Sequence, residues 1–240
     1  MSEELLYAGK AKSVYESGAP DTLVVVFRDD ITAFDGGKKD VLVRKGEYNA
    51  RVSARLFERL EEAGVPTHFL CLEPPSRMLV RRLAMVPLEV IVRNRAAGSL
   101  VRNYPFEPGQ PLDPPLIVID YKDDARHDPM CNDEIILALG LLDPAELAAM
   151  KALALRVNGV LREIFGACDL ELVDFKLEFG RDAEGRLRLG DEVSMDSMRL
   201  WDRASGESMD KDVYRLGTGD VLSAYARVAD RLGLEMQHAV

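Results

Sequence analysis

The chain has 240 residues, 47% of them hydrophobic, which suits one large domain or two closely packed lobes with a substantial core. Its 41 acidic residues outnumber its 31 lysines and arginines, and the net charge of −10 argues against a nucleic-acid or anionic-membrane surface. The N-terminus lacks signal-peptide character and no apolar run approaches 18 residues, so we expect a soluble, cytoplasmic protein. Three cysteines, widely spaced and apart from the histidines, predict small buried thiols rather than disulfides or a zinc site: Cys71, Cys131 and Cys168.

The first third of the chain predicts mostly strands. Gly9 divides residues 5–16 into two short strands, and residues 22–30 form a β-branched run. Residues 47–63 have apolar side chains at helical spacing and end before a glycine and a proline, which predicts a helix. Pro87 interrupts an apolar run, so residues 84–89 predict a segment that crosses between two sheets or lobes. Strand patterns also cover residues 67–73, 77–83 and 88–95.

The remainder of the chain mixes helices and strands. Residues 103–115 carry five prolines and a glycine, which predicts an irregular surface loop. Asp143 begins a helix with a capping signature, and the apolar repeat continues to Gly166. Two alternating segments follow around a glycine-containing turn and predict a hairpin, and a last helix covers residues 220–232. The fold class is therefore α+β.

The first strand of the predicted hairpin, "LVDFKLEFG" at 172–180, has charged and apolar residues in strict alternation. Asp174, Lys176 and Glu178 would share one face, because successive side chains of a strand point to opposite faces. The partner strand would bring Asp191 beside them. Carboxylates that converge with a lysine suit a magnesium-bound polyphosphate. A solvent-exposed strand with cross-strand ion pairs is the structural alternative, and the pattern alone leaves it open.

Basic residues in four other segments are candidates for binding anions. Each of these segments is also compatible with an ordinary exposed hairpin, strand end or helix face. Lys10 and Lys12 follow a glycine that lets backbone amides approach phosphates. Arginine at a strand end beside a hydroxyl, and lysine with arginine at helical i, i+4 spacing, suit carboxylates or phosphates. The residues of these further segments are Arg93, Ser99, Arg199, Lys211 and Arg215.

Several strings across nearly the whole chain resemble the SAICAR synthetase family. The two most diagnostic are "VPLEVIVRNRAAGS" and "LVDFKLEFG". "YAGKAKSVYE" precedes them, and the order of the strings makes a chance match a poor explanation. The remaining matching strings are "HDPM", "LGDEVSMDSMRLWD" and "MDKDVYR".

The resemblance implies an ATP- and magnesium-dependent ligase of purine biosynthesis. The family joins L-aspartate to the carboxylate of carboxyaminoimidazole ribotide through an acyl phosphate. It also implies a kinase-like architecture, with a β-rich lobe at 1–84 and an α+β lobe at 85–240, and a homodimer is expected. By motif, ATP would lie against Gly9, Lys10, Ala11, Lys12, Val14, Met85, Val86, Lys176, Glu178 and Asp191. Glu178 and Asp191 would hold magnesium.

The resemblance also distributes the substrate and catalytic roles. Arg93, Ser99 and Arg199 would bind the ribotide, and Lys211 and Arg215 are candidates for aspartate. Lys12 and Lys176 would offset phosphate charge, and Asp174 is a candidate base or a partner of Lys176. Phe34 precedes Asp35 where some members carry glycine, which leaves the role of this loop open. A small-molecule kinase, a non-catalytic nucleotide-binding module and a metal-dependent hydrolase are the alternative functions.

Overall fold

The computed structural model describes residues 4–33 and 37–236, which form a mixed α+β fold. The predicted substrate loop at Phe34 and Asp35 lies outside the described residues. The strands are β1 (Leu5–Ala8), β2 (Lys12–Glu16), β3 (Thr22–Phe27), β4 (Asp30–Ala33), β5 (Lys38–Val41), β6 (Phe69–Glu73), β7 (Arg77–Arg81), β8 (Ala84–Arg95), β9 (Pro111–Tyr121), β10 (Met130–Cys131), β11 (Leu170–Arg181), β12 (Leu187–Gly190) and β13 (Met198–Asp202).

Three of the helices were predicted from apolar spacing, and their bounds agree with the prediction to within about two residues. The helix that follows Asp143 has a complete capping box, in which the Asp143 carboxylate accepts from the Glu146 amide and the Glu146 side chain accepts from the Asp143 amide. Among the described residues no helix is long and apolar enough to cross a membrane. The helices are α1 (Lys45–Glu62), α2 (Ser99–Asn103), α3 (Asp133–Ala138), α4 (Pro144–Ala167), α5 (Asp212–Leu216) and α6 (Val221–Arg231), with a 3₁₀ turn at Asp124–Arg126.

The first sheet has five antiparallel strands in the order β1-β2-β3-β7-β6. The predicted turn at Gly9 joins β1 to β2, and the Gly9 amide donates to the Lys12 carbonyl at 2.8 Å. A separate two-stranded ladder pairs β4 with β5. Helix α1 contacts β3, β6 and β7 and buries Leu56, Phe57 and Leu60.

The second sheet contains β10-β9-β8-β11-β12, and β13 pairs with the N-terminal half of β11, whose C-terminal end pairs with β12. The charged strand at 172–180 lies in β11, between β8 on one side and β12 and β13 on the other. The hairpin is confirmed by the β11–β12 pairing. The alternative of a solvent-exposed strand is wrong, because Asp174 and Glu178 are buried in the sheet. The apolar face is also buried, and its residues are Phe175, Leu177 and Phe179.

The predicted crossing segment at 84–89 is the beginning of β8 rather than a break before it. Pro87 is accommodated because the β8–β11 register shifts there: Glu178 pairs with Glu89, but Gly180 pairs with Met85. Such an irregularity leaves a residue without a ladder partner, which is where a strand tolerates proline. The chain nevertheless leaves the first sheet after Arg81 and enters the second sheet at Ala84, so it crosses between the sheets just before β8.

The prediction of an irregular loop across 103–115 is wrong at its C-terminal end, because β9 begins at Pro111. Pro114 and Pro115 lie in the strand. Their edge of β9 is open, since β10 covers β9 only at Ile119 and Asp120. An open edge demands no backbone donor, so proline is compatible with it.

One hydrophobic core spans both sheets and the helices packed on them, including α1, α4 and α6. A domain boundary near residue 84 stays a prediction. All three cysteines are free, as predicted, but only Cys131 is buried. The prediction of a buried thiol is wrong for Cys71, which is exposed on β6, one of the two edge strands of the first sheet.

Candidate active site

A cavity of about 490 Å³ opens between the two sheets, which we call the inter-sheet cavity. The first sheet contributes the Gly9 turn and an apolar surface that includes Val14, Leu23, Val25 and Val80. The second sheet contributes charged residues of β8 and β11 and the segment that follows β12. Of the residues predicted to bind nucleotide or metal, the cavity wall includes Gly9, Lys10, Ala11, Lys12, Val14, Met85, Lys176, Glu178 and Asp191.

Lys12 links the two sheets by ion pairs across the cavity. Its ammonium group contacts the Asp191 carboxylate and lies 2.8 Å from Glu192. Burial alone would lower the pKa of Lys12, but these carboxylates raise it overall. Burial would likewise raise the pKa of Asp191, while Lys12 and Lys176 hold it well below its usual range. Both groups are therefore charged at neutral pH.

Lys176 lies at the meeting point of three carboxylates. Its Nζ is 2.6 Å from Glu178, 3.0 Å from Glu89 and 3.7 Å from Asp191. The register explains this arrangement, because Glu178 of β11 and Glu89 of β8 are directly paired and their side chains share a face. Burial opposes the charge of Lys176, but the three carboxylates raise its pKa well above the ordinary value.

Glu178 and Asp191 are the carboxylates that fit a hard divalent cation. Both reach the same ammonium group, so both can approach a single cation, and their oxygens are the ligand type that magnesium prefers. Over residues 4–33 and 37–236, no group of three or more His, Cys, Asp and Glu side chains is arranged to hold a metal by itself. A cation held by these two carboxylates would complete its coordination with water or with oxygens of a bound molecule.

Asp191 has a backbone conformation that is uncommon for residues other than glycine, although aspartate adopts it more readily than most. Its φ is +57°, in the left-handed region. Residues other than glycine adopt this region at a cost of order 1–3 kcal/mol, and such strain is concentrated at functional sites. The strain therefore agrees with a functional role for the Asp191 carboxylate.

Asp174 belongs to a second cluster, beside the inter-sheet cavity, which we call the arginine cluster. Its carboxylate accepts from Arg93 at 2.7 Å and from Arg199 at 2.9 Å. Arg93 also donates to the Ser99 hydroxyl at 2.9 Å. The three residues predicted to bind the ribotide are therefore brought together. Lys176 is not among the groups that Asp174 contacts, and Asp174 is not on the wall of the inter-sheet cavity.

A smaller cavity of about 280 Å³ adjoins the arginine cluster and is lined partly by Arg199 and Trp201. Gly98 forms part of its wall with a φ of +57°. A Cβ on Gly98 would lie 2.6 Å from a guanidinium nitrogen of Arg199. Glycine is thus required here both by the backbone conformation and by the close approach of Arg199.

The other predicted residues have mixed positions. Lys211 lines the inter-sheet cavity, and burial lowers its pKa. Arg215 pairs with Asp212 and is not on the wall of either cavity. Val86 is buried in β8, so only its neighbour Met85 is on the cavity wall.

Sequence reasoning missed several wall residues, among them His68 and Glu89. Glu89 interrupts the apolar run of β8, and a lone acid in such a run was a usable signal. Lys122 donates to Glu178 across the sheet, a contact that depends on the β8–β9 and β8–β11 registers. Burial lowers the pKa of His68 to about 4, with Lys12 contributing, so this ring is neutral at neutral pH.

Comparison with known proteins identifies the family of the chain. The family model of SAICAR synthetase matches residues 5–232. The chain belongs to the SAICAR synthetase family. A Methanoregula boonei protein named phosphoribosylaminoimidazole-succinocarboxamide synthase is 63% identical over 96% of this chain and 90% of its own length. The protein of that name from Methanocaldococcus jannaschii is 50% identical over 98% of this chain and 96% of its own length.

Solved structures of family members have the same fold. The synthase from Ehrlichia chaffeensis superposes with a TM-score of 0.95 at 38% identity, covering 97% of this chain and 99% of that one. A SAICAR synthetase in complex with ADP superposes with a TM-score of 0.94 at 41% identity, covering 98% and 100%. The sequence-based family assignment and the α+β class are confirmed, and the chain is an ATP-using ligase of purine biosynthesis.

Proposed function

We propose that the inter-sheet cavity is where this chain binds ATP and magnesium and joins L-aspartate to the carboxylate of carboxyaminoimidazole ribotide. The observation that carries the proposal is the convergence of Lys12, Lys176, Glu178 and Asp191 on one cavity that also has an apolar end. Two ammonium groups and two carboxylates at this place suit a polyphosphate with a divalent cation.

The nucleotide would lie along the first sheet. Val14, Leu23, Val25 and Val80 offer an apolar surface for a base, and Met85 begins the opposite wall. The Gly9 turn and the lysines that follow it would cover the phosphates. The family member solved with ADP supports nucleotide binding at this fold. A kinase-like arrangement of two lobes around the nucleotide belongs to the same proposal.

Magnesium would be held by Glu178 and Asp191 together with phosphate oxygens of the nucleotide. When bound, it would neutralise charge on the transferring phosphoryl group. In the structure, Lys12 pairs with Asp191 and Lys176 pairs with Glu178. With both carboxylates engaged in this way, the ammonium groups of Lys12 and Lys176 would be available to contact the phosphates.

The arginine cluster would bind the ribotide. Arg93 and Arg199 present guanidinium groups whose planar donors match phosphate and carboxylate oxygens. Ser99 adds a hydroxyl that Arg93 already orients. Lys211, on the inter-sheet cavity wall, is our candidate for a carboxylate of aspartate, and Arg215 stays a weaker candidate because it pairs with Asp212.

The chemistry requires activation of a carboxylate. The ribotide carboxylate oxygen attacks the γ-phosphorus of ATP, the bond to the β-phosphate oxygen breaks, and ADP leaves. The neutral aspartate amine then attacks the carbonyl carbon of the acyl phosphate, the C–O bond to phosphate breaks, and the proton lost from nitrogen leaves with the phosphate as hydrogen phosphate. Lys12 and Lys176 would offset the charge that develops during transfer.

The geometry does not favour Asp174 as the base for the aspartate amine. Both of its carboxylate oxygens accept from arginines, and it lies off the cavity wall. We propose instead that Asp174 fixes the orientation of Arg93 and Arg199 for the ribotide.

A substrate-omission assay tests the proposal. ADP release and the amide product are measured with ATP, magnesium and ribotide, with aspartate present or left out. We expect stoichiometric ADP and amide only with aspartate. Sustained ADP release without aspartate, yielding a phosphorylated hydroxyl, would favour the small-molecule kinase, and ATP binding without turnover would favour the non-catalytic module.

Two further expectations accompany the proposed function. A homodimer is tested by light scattering at several protein concentrations, where a constant mass near twice that of the chain is expected. A cytoplasmic location is tested by fractionation of the source cells, where the protein should follow soluble cytoplasmic markers. A membrane-bound fraction would contradict that location.

A further inference from the structure

Arg28 binds the backbone of the Gly9 turn, and the proposed chemistry gives this arginine no role. Its Nη2 donates to the Gly9 carbonyl at 2.6 Å and to the Lys10 carbonyl at 3.2 Å. The Arg28 backbone amide donates to the Ala11 carbonyl at 2.8 Å. One residue therefore binds three consecutive carbonyls of the turn. Arg28 itself is not on the wall of the inter-sheet cavity.

The first sheet fixes Arg28 in turn. Arg28 follows Phe27, the last residue of β3, and Phe27 pairs with Lys12 of β2. The Nε atom of Arg28 lies 3.0 Å from a carboxylate oxygen of Asp30. The guanidinium is therefore anchored at both its backbone and its side chain, and it ties the Gly9 turn to the strand beside it.

The carbonyl contacts determine where the amides of the turn point. In a planar trans peptide, the C=O of one residue and the N–H of the next point in opposite directions. The peptide bonds between residues 9 and 10 and between residues 10 and 11 are trans. The Lys10 and Ala11 amides therefore point away from the Arg28 guanidinium. Gly9, Lys10 and Ala11 are all on the cavity wall, so the cavity lies on the side of the turn that Arg28 does not occupy.

Phosphate oxygens accept hydrogen bonds, and successive backbone N–H groups that face one side of a turn form a site for them. A carbonyl turned to the same side would repel those oxygens. We infer that Arg28 is a positioning residue that holds the carbonyls of the Gly9 turn outward and so keeps the Lys10 and Ala11 amides directed at the nucleotide phosphates. This inference rests on the proposed function of the inter-sheet cavity.

Three variants isolate the donor function of Arg28. Arg28→Met keeps an unbranched side chain but has no donor. Arg28→Lys keeps a donor, and one ammonium group can serve both carbonyls because both now accept from the single nitrogen Nη2. Arg82→Met is the matched control, since Arg82 pairs with Glu16 at the other end of β2 and lies off the wall of both cavities.

Affinities for ADP with magnesium and for adenosine are measured by displacement of a fluorescent ADP analogue. We expect Arg28→Met to weaken ADP binding roughly tenfold or more, the scale of hydrogen bonds to a charged group. Adenosine has no phosphate, so its affinity should change less than about threefold. Arg28→Lys and Arg82→Met should stay within about threefold of wild type for both ligands.

Unchanged ADP affinity in Arg28→Met would overturn the inference. Equal weakening of ADP and adenosine in that variant would overturn it as well, because such a loss indicates a general disturbance of the first sheet. Equal losses of ADP affinity in Arg28→Met and Arg28→Lys would do the same, since donation by one nitrogen would then not be what matters.

Hydrogen exchange separates positioning of the amides from a simple loss of positive charge. A peptide that covers residues 8–13 is followed by mass spectrometry with and without saturating ADP and magnesium. We expect ADP to slow exchange of this peptide in wild type and Arg28→Lys but not in Arg28→Met. Equal slowing in all three proteins, or none in wild type, would overturn the inference. Wild-type protein that binds ADP no more tightly than adenosine would instead contradict the proposed function.

Discussion

Arg93 is held between two side chains that fix its guanidinium in one orientation. It donates to Asp174 at 2.7 Å and to Ser99 at 2.9 Å, and it is only 4% exposed. A buried arginine with oriented donors is suited to a substrate anion, because little side-chain entropy remains to be lost on binding.

We expect Arg93→Lys to weaken ribotide binding and spare ATP. Lysine keeps the charge but loses the planar set of donors, so the ribotide KM should rise at least roughly tenfold while the ATP KM stays within about threefold. Steady-state kinetics with each substrate varied in turn makes the comparison. Equal increases in both KM values would indicate a general disturbance of the fold and contradict a specific ribotide contact.

His68 makes the stability of the ligand-free protein depend on pH. Burial lowers its pKa to about 4, so the folded protein binds the proton more weakly than the unfolded chain does. The free energy of unfolding should therefore fall as the pH drops from about 6.5 towards 4, by about 2 kcal/mol between pH 7 and pH 5. Urea unfolding of wild type and His68→Gln at several pH values measures this contribution.

The His68→Gln curve should lack that part of the pH dependence, so the two curves should converge towards low pH or cross. His127→Gln, which changes an exposed histidine, is the matched control and should parallel wild type. Parallel curves for wild type and His68→Gln would contradict the assigned environment of this ring.

Individual residues differ in how far sequence could predict their roles. Lys176 and Glu178 were predictable because strict alternation in β11 puts them on one face, and the hairpin turn returns Asp191 beside them. His68 was not predictable. Its position depends on contacts between segments that are 121 residues apart, and no local pattern marks the lone histidine.

At the scale of elements, Gly98 lets the start of α2 approach β13 closely. A Cβ there would lie 2.6 Å from Arg199, and the φ of +57° would strain any other residue. Arg199 is thus positioned by the backbone of α2 as well as by Asp174. The ribotide site depends on this contact between elements.

We expect Gly98→Ala to raise the ribotide KM at least roughly tenfold, because the guanidinium of Arg199 must move. Gly206→Ala is the matched control, since Gly206 also has a positive φ of 75° but nothing within 4 Å of its Cβ position. Both variants should lose about 1 kcal/mol of stability from backbone strain. An unchanged ribotide KM in Gly98→Ala would show that the position of Arg199 does not depend on Gly98.

Strands with proline were the elements that sequence reasoning misjudged. Pro87 predicted a segment at 84–89 that crosses between two sheets or lobes, and the prolines after Asn103 predicted a loop through residue 115. Both segments are strands because tertiary context removes the need for the missing donor: a register shift in β8 and an open edge in β9. Propensity describes a residue, but the sheet decides which backbone donors are needed.

At the scale of the whole molecule, the site exists only because two sheets meet. The first sheet supplies Lys12 and an apolar wall, and the second supplies Lys176, Glu178 and Asp191. The ion pair between Lys12 and Asp191 joins the two. Neither sheet alone contains all the groups that the proposed site needs, namely carboxylates for the cation, lysines for the phosphates and an apolar surface for the base. We therefore claim that Asp191 acts where the two sheets meet.

Asp191→Asn tests that claim most directly. Asparagine tolerates a positive φ, so the backbone should be preserved while the charge is removed. Asp169→Asn is the matched control, because Asp169 also has a positive φ of 54° but is exposed and lies off the wall of both cavities. In the folded variants, we predict that kcat falls at least roughly 100-fold in Asp191→Asn and less than about threefold in Asp169→Asn. Near-normal turnover in folded Asp191→Asn would contradict the account.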